Sequence, residues 1–578
     1  MSRKAWAIIC GAILFSFLFY RQSAGINFLL FSVLLAGIYL WLKPQLLRDK
    51  GWLAIAFLTL LSGVFILLYG SSLAIFANCV SLLLLAVRSS PITFSVLTGL
   101  VHALFSLGGS IVFMILDITD VYKKSKEQES SARNFAPGII LVSLSIAFIF
   151  FFIYKSANPL FDNYTSVFNI DAGVIFFTIL GVFILYGFLM CNPIKPLEQW
   201  ERKQTADLVN SGGAASAREL QAALILFVLL NTMLLLINGL DLNYLYLGAG
   251  MPKGISHKQF VHNGVGTLVS SILLGIIIIL FFFRSALNFS EKNKAVKLLV
   301  SLWIFQNLFM VLSTAIRNKM YTDDALLTYR RIGVYYWLGM AALGLVVTFI
   351  KIQQLKTIWF LVRTNAYIAF LMLVFSAGID WDQYITDYNL RNTGSVSSLD
   401  KRYLISLSEG NIAQLYDLEK SPGFNVDSSF HYRYNRWMPS SAVLDEKLYE
   451  FRKDYNDCWK SFSLRSRRVK KQTDELGASI DSLNFGSCHI SSMKPLWMCV
   501  NLKTLKLGWC DTSVYTELLH FKKLKKLHAG SSYERNVAAI KRLKQLDTLT
   551  LSSSPDTVAV RELMREMPAT KIIYIKGS

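Results

Sequence analysis

Over roughly its first 378 residues the chain does not alternate apolar with polar positions but gathers its apolar residues into long runs. These fall near 5–20, 26–43, 52–69, 71–87, 92–116, 137–154, 173–191, 220–239, 264–283, 297–316, 332–350 and 358–377. A helix rises about 1.5 Å per residue, so about 20 apolar residues cross about 30 Å of hydrocarbon. Runs such as "GTLVSSILLGIIIILFFF" (266–283) carry no charge and are too long for buried strands. In lipid each segment must satisfy its own backbone groups, which leaves the helix as the available form. The pattern predicts about twelve transmembrane helices.

After Gly378 the pattern becomes that of a water-exposed domain, and from Ile480 the motif L-x-x-L-x-L recurs. It reads Ile480, Leu483, Phe485; Leu502, Leu505, Leu507; Leu524, Leu527, Ala529; and Leu546, Leu549, Leu551. The starts 480, 502, 524 and 546 are 22 residues apart, and "TKIIYI" (570–575) fits a fifth strand after a 24-residue step. This period with this motif predicts a leucine-rich-repeat solenoid, with "VYTELLHF" and "VAAIKRL" on its convex side. Cys488 and Cys510 hold the ninth motif position, so they are expected to stack in adjacent coils as a structural ladder continued by Ser532 and Ser554.

Strand residues between the leucines point away from the core. The central outward positions are Asn484, Lys506, His528 and Thr550, flanked by Ser482, Thr504, Lys526 and Thr548, with Trp509 at a strand end. This polar, mildly basic face suits a protein partner or an anionic surface polymer, because repeat scaffolds present extended surfaces without a deep pocket. Between the last apolar run and the repeats, 398–420 predicts two helices turning at Gly410, and 444–471 predicts one long helix. That helix could cap the open end of a short solenoid.

Composition sharpens the division. The 578 residues are 53% hydrophobic and 17% charged, and mean hydropathy is +0.42. Net charge is +21, of which +14 precedes Gly378. Excess Lys and Arg in membrane loops reflects topology and anionic headgroups, and no nucleic-acid module accompanies it. Seven cysteines without a CxxC pair give neither a disulfide framework nor a structural zinc site. "MSRKAWAIICGAILFSFLFY" has a basic start and an apolar run but no A-x-A pattern, so a retained helix is expected.

The basic loops 120–133, 195–204 and 284–297 are assigned to the cytoplasm. The aromatic-rich, cation-poor loops "SANPLFDNYTSVFNIDAG" and "DLNYLYLGAGMPKGISHKQF" are assigned to the outside, which puts the C-terminal domain outside. Arg3, Lys4, Lys43, Arg48 and Lys50 favour the opposite phase at the start of the chain.

Polar residues within apolar runs are the default place to look for function. His102 interrupts "LTGLVHALFSLGG", Asn231 sits in mid-run, Gln306 and Asn307 lie deep in a helix, and Arg363 lies in the last span. His102 could carry a proton or ligand role or bond a neighbouring carbonyl; Gln306 and Asn307 fit helix-to-helix bonding, and Arg363 fits snorkelling to the interface. Arg317, Lys319, Arg330 and Arg331 bracket Asp323 and Asp324, read as a short amphipathic connection between spans. His257 and His262 are five apart, which is wrong for a shared helix face, so no metal is assigned. No paired intramembrane carboxylates or broken helix stand out. No nucleophile–base pair or phosphate loop stands out either, so no catalytic residue and no cofactor is assigned.

Four segments carry a resemblance: "YLYLGAGMPKGISHKQFVHNGVGTL" (244–268), "FFFRSALNF" (281–289), "IRNKMYTDDALLTYRRIGVYYWL" (316–338) and "DWDQYITDYNLRN" (380–392). Together the region 135–420 resembles the bacterial membrane proteins of domain-of-unknown-function family 4173, whose sibling is 4153. The resemblance implies a bacterial, polytopic inner-membrane protein with no established activity and no catalytic residues to transfer; the repeat tail departs from it. The sequence thus predicts a mainly α chain in three parts. These are a bundle of about twelve transmembrane helices over 1–378, a helical connector over 379–475, and a short α/β leucine-rich-repeat solenoid over 476–578. The function expected is membrane-anchored recognition or signalling through the repeats, with a transporter or membrane-embedded enzyme as the alternative.

Overall fold

The computed structural model describes the chain from Arg3 to Tyr574, apart from 93, most of 128–170, 210–216, 248–256, 284–287, 290–292, 422–423, 425–427, 432–435 and 552–557. It divides into two compact units, Met1–Ile379 with Trp459–Ser461, and Asp380–Cys458 with Phe462–Ser578. The first is helical. Its elements are α1 (Arg3–Phe19), α2 (Ile26–Leu42), α3 (Lys50–Tyr69), α4 (Ser72–Arg88), α5 (Val96–Gly108), α6 (Ser110–Glu127), α7 (Ala172–Met190) and α8 (Lys195–Arg202), followed by α9 (Ala217–Asp241), α10 (His257–Phe282), α11 (Lys294–Ala325), α12 (Tyr329–Gln353) and α13 (Ile358–Ala377).

Among the described residues six helices are long and apolar enough to cross a bilayer: α3, α7 continued through Arg202, α9, α11, α12 and α13. They mark the chain as a multi-pass membrane protein. Six of the predicted runs are not among these six spans. The runs at 5–20, 26–43 and 71–87 form helices of 17 residues, the run at 264–283 gives a short apolar stretch, Ser270–Phe282, and the run at 137–154 lies largely outside the described residues. The single run at 92–116 is a bent pair, a broken span or a re-entrant turn, in which α5 and α6 meet at 67° across Gly109. That break corrects the expectation of unbroken helices.

Among the described residues the two largest apolar groups in this unit lie one among α1–α5, α7 and α13, the other among α9–α12. Buried polar side chains join helices where lipid offers no hydrophobic gradient between them. Asn78 on α4 is fully buried and donates to Ser32 Oγ on α2 (3.1 Å), and to Thr59 O (3.0 Å) and Ser62 Oγ (3.0 Å) on α3. Helix ends follow ordinary capping chemistry: Asp49 accepts from Gly51 N and Trp52 N at the start of α3, which ends on Gly70 at φ 60°.

The second unit opens with α14 (Trp381–Asn392), α15 (Lys401–Ser406) and α16 (Ile412–Glu419), the last two flanking Gly410. An antiparallel hairpin, β1 (Ser428–His431) and β2 (Arg436–Pro439), leads to α17 (Ser440–Asp454) and α18 (Leu464–Gly477). The single helix expected over 444–471 is therefore two. Asn456 Oδ1 takes the Cys458 N–H (2.9 Å) in a local turn, and Ser463 caps the new helix through Ser466 N.

Five parallel strands follow in chain order: β3 (Ser482–Ile490), β4 (Thr504–Cys510), β5 (Lys526–Ala529), β6 (Thr548–Leu551) and β7 (Lys571–Tyr574). Leu483, Leu505, Leu527 and Leu549 lie in register at 22-residue intervals. All twelve motif positions from Ile480 to Leu551 are buried, and each fully buried leucine contributes roughly 1.5–3 kcal/mol relative to exposure. Leu549 pairs with Ile572, so the last step is 23 residues, one fewer than the sequence suggested.

The cysteine column is also corrected. A bulge between Phe485 and His489 shifts the register, so Cys510 pairs with Ile490 and not Cys488. Both thiols are buried and unlinked. The side chain of Ser532, and all of Ser554, fall outside the described residues. A glycine column exists instead. A Cβ on Gly530 would lie 1.9 Å from Gly508 O, and one on Gly508 would lie 2.8 Å from Gly486 O.

Candidate functional site

The intramembrane candidates fall into two places. His102, with no exposed surface, lies on α5 between Thr98 and Ser106, each four residues away, so the three share one helix face. All three bond the segment that runs from the last turn of α7 through α8. Thr98 Oγ1 donates to Glu201 Oε2, Ile194 N donates to His102 Nδ1 (3.1 Å), Ser106 Oγ donates to Gly187 O (2.9 Å), and Asn192 N donates to Ser106 Oγ (3.0 Å). A backbone N–H on Nδ1 leaves the neutral imidazole proton on Nε2. That N–H is buried and has no acceptor among the described residues.

Glu201 belongs to "KPLEQWERKQ", read from sequence as a basic loop. The stretch forms α8, whose Glu201 is buried while Arg202 pairs with Glu198 on the outer side (2.6 Å). Trp200 meets Trp359 of α13 edge-on at 5.0 Å. Arg363 lies exposed on α13. Sequence reasoning singled out His102 and Arg363 but not Thr98, Ser106 and Glu201. The four-residue spacing of polar positions along α5 was the available signal.

Asn231 and Gln306 are brought together elsewhere, between α9 and α11: Gln306 Nε2 donates to Asn231 Oδ1 (2.7 Å). Asn307 turns back on its own helix and donates to Trp303 O (2.7 Å). Arg317 and Lys319 lie within the long α11, not in a connection, and Arg317 pairs with Asp241 of α9, a carboxylate the sequence reading passed over. Lys319 pairs with Asp323 (2.7 Å). No group of three metal-ligating side chains occurs among the described residues, and the side chains of His257 and His262 are outside them.

On the sheet, Lys506 of β4 pairs in register with His528 of β5, which pairs with Thr550 of β6. Lys526 lies between Thr504 and Thr548. Burial first, and then the Lys506 charge, hold the His528 imidazole below its ordinary pKa, so it is neutral where the lysines are charged. Trp509 stands 66% exposed beside His489, whose Nε2 meets Asp511 Oδ1 at 3.1 Å. Lys503, Lys525 and Lys541 pair with Asp481, Asp547 and Glu562, whereas Lys523 bonds the Asn501 side chain and Lys544 the Glu566 carbonyl. Lys506 and Lys526 are exposed and have no ion-pair partner among the described residues.

At the other side of the sheet α17 packs on the outer strand β3. The Asn484 N–H of β3, which has no further strand to pair with, donates to Asp445 Oδ2 (2.7 Å), and Tyr416 OH donates to Asp445 Oδ1 (2.7 Å). Burial pushes the Asp445 carboxyl up to about 8, against the two hydrogen bonds that favour its charged form. Two residues on, Lys447 donates to Asn411 Oδ1 (2.6 Å), and burial pushes its amine down to about 7.

The family model described as "Domain of unknown function (DUF4153)" matches residues 9–418. The match runs from within α1 through the other helices of the first unit and stops short of the parallel sheet. No curated protein and no solved structure matches the chain.

Proposed function

We propose that this chain, which belongs to the DUF4153 family, is a membrane-anchored recognition protein whose C-terminal sheet is a leucine-rich-repeat coil that binds an anionic partner. The observation that carries the reading is the pair of exposed cations Lys506 and Lys526 on neighbouring strands, without an ion-pair partner among the described residues, while Lys503 and Lys525 beside them are neutralised by Asp481 and Asp547. Parallel strands lie about 4.8 Å apart, so the two ammonium groups and the neutral His528 form one patch that a run of carboxylates or phosphates can track. Exposed Trp509 adds an apolar anchor of the kind enriched in binding faces. In this reading the bundle, with about twelve spans, sits in a bacterial cytoplasmic membrane and holds the coil on its outer side.

The test uses the full chain in lipid nanodiscs and poly-L-glutamate as the probe. Binding that weakens with salt and falls at least about tenfold in K506E/K526E supports the reading. Absence of binding by the unaltered chain, or equal binding by the variant, overturns it.

A specific observation also favours a second reading, a transporter or membrane-embedded enzyme with an accessory coil. The bent pair α5–α6 and the unsatisfied Nε2–H of His102 lie in the same stretch, and interrupted helices mark substrate sites in many transporters. A cellular phenotype lost in H102A at normal expression supports this reading, whereas loss only on deleting 476–578 supports the first.

A further inference from the structure

Between α9 and α11 runs a seam of polar side chains inside the membrane unit. Asn231, Asn238 and Asp241 occupy one face of α9 at intervals of seven and three, and Gln306, Ser313 and Arg317 occupy one face of α11 at intervals of seven and four. Contacts pair them in order: Gln306 with Asn231 (2.7 Å), Asn238 Nδ2 with Gln306 O (3.0 Å), and Asp241 with Arg317. The two helices therefore run in the same direction, with Asn238 and Ser313 each about one turn before the ion pair. Asn231 also donates to Phe227 O (2.6 Å) and Leu299 O (3.0 Å), so amide donors are consumed by carbonyls along the seam.

The acceptors are not. Gln306 Oε1, Asn238 Oδ1, Ser313 Oγ and Asp241 Oδ2 are buried and have no donor among the described residues. The six side-chain positions span about 15 Å of helix. A row of buried oxygen atoms without donors is what internal water satisfies, because each molecule brings two O–H groups. A resident cation is a poor occupant, since the Arg317 guanidinium already faces the one carboxylate.

We propose that this seam holds a file of internal water whose protonatable member is Asp241, making the Asp241–Arg317 pair a protonation site within the membrane. The step balances simply: hydronium delivered through the file gives its proton to the carboxylate and leaves as water, and the neutral acid releases its charge attraction on Arg317. Arg317 is the charged group that faces Asp241 from α11. Further along, Lys319 and Asp323 pair with each other, and Arg331 of α12 donates to Ala325 O and Leu326 O.

The test is dicyclohexylcarbodiimide, which captures protonated carboxyls in apolar surroundings, applied to the full chain in phosphatidylethanolamine–phosphatidylglycerol nanodiscs and read by mass spectrometry at Asp241. Labelling at about pH 5.5 that slows at least about tenfold by about pH 8.5 is the expected result. N238L/S313A, which removes two acceptors and keeps the ion pair, should slow labelling at the lower pH by about tenfold or more. No labelling at any pH, or a rate indifferent both to pH and to those substitutions, overturns the proposal. The wild-type pH profile requires no variant to fold.

Discussion

The Asn484 backbone N–H lies 2.7 Å from the Asp445 carboxylate, so a side chain on α17 closes the hydrogen-bonding edge of the parallel sheet. An open strand edge invites pairing with another chain, and covering it with a helix is one way proteins avoid that. Here the helix brings the missing acceptor as well as its bulk. Tyr449 of the same helix rests on Phe485 at 5.8 Å, which fixes the approach.

Removing the acceptor should cost more than neutralising it. D445A leaves the Asn484 N–H and the Tyr416 hydroxyl buried without partners, at about 1–3 kcal/mol each. D445N keeps one acceptor oxygen and lets the Tyr416 hydroxyl rotate. Hydrogen exchange at amides 482–485 of the full chain in detergent should rise strongly in D445A and weakly in D445N.

The same carboxyl sets a pH dependence. Its folded pKa, about 8, lies above the unfolded value, so between about 4 and 8 the folded state holds a proton that the unfolded state has lost. Its contribution is complete below about 4 and is lost as pH rises toward 8. Lys447 acts oppositely: with a folded pKa of about 7, stability rises with pH from about 7 to about 10.5. Thermal unfolding should show D445N removing the falling component and K447M removing the rising one. Unchanged slopes in both variants would refute the assignment.

The glycine column makes a sharper packing prediction. An alanine Cβ at Gly530 would enter backbone at 1.9 Å, whereas at Gly486 it would meet the Asn484 and Lys506 side chains at 3.1 Å, and those can move aside. G530A should therefore destabilise the C-terminal unit by about 1–3 kcal/mol or more, and G486A by less than about 1 kcal/mol. Limited proteolysis of the full chain, following release of fragments from 480–574, distinguishes them.

What the sequence disclosed follows from the range of the interactions. The 22-residue recurrence of leucines is local and periodic, so strand order and inward positions were readable in advance, as was the outward placement of Lys506 and His528. The cysteine column failed because a bulge of two residues in β3 leaves no mark in the motif spacing. Asp445 was invisible because its partner is a backbone N–H 39 residues away. Asp241 was missed because Arg317 is 76 residues distant and looked like part of a charged connection. Thr98, His102 and Ser106 are a different matter: their spacing is in the sequence, but a scan for apolar periodicity does not register polar positions that repeat on a helix face.

Orientation is testable through exposed positions. K522C lies on the surface of the C-terminal unit, where Cys488, Cys499 and Cys510 are buried. If the basic loops face the cytoplasm, a membrane-impermeant maleimide should label K522C on intact cells and leave K124C unlabelled until lysis. The reverse pattern would place the coil inside and agree with the basic residues at the start of the chain.

The polar stripe on α5 predicts a conformational consequence that can be read at a neighbouring thiol. Cys191, at the end of α7, is buried at 2% exposure and adopts φ 39°, a left-handed backbone that persists because its surroundings fix it. Ser106 holds Gly187 O before it and Asn192 N after it, and His102 holds Ile194 N two residues further on. H102A leaves Ile194 N and S106A leaves Asn192 N without an acceptor, about 1–3 kcal/mol for each loss, while Gly187 O keeps the Cys191 N–H. A few kcal/mol of that kind raises the population of an opened segment by about tenfold or more. Site-resolved maleimide labelling of Cys191 in the full chain should therefore accelerate in both variants and remain slow in H102Q, whose amide oxygen can still accept from Ile194 N. Equal labelling rates in all of them would show that the stripe does not hold this segment.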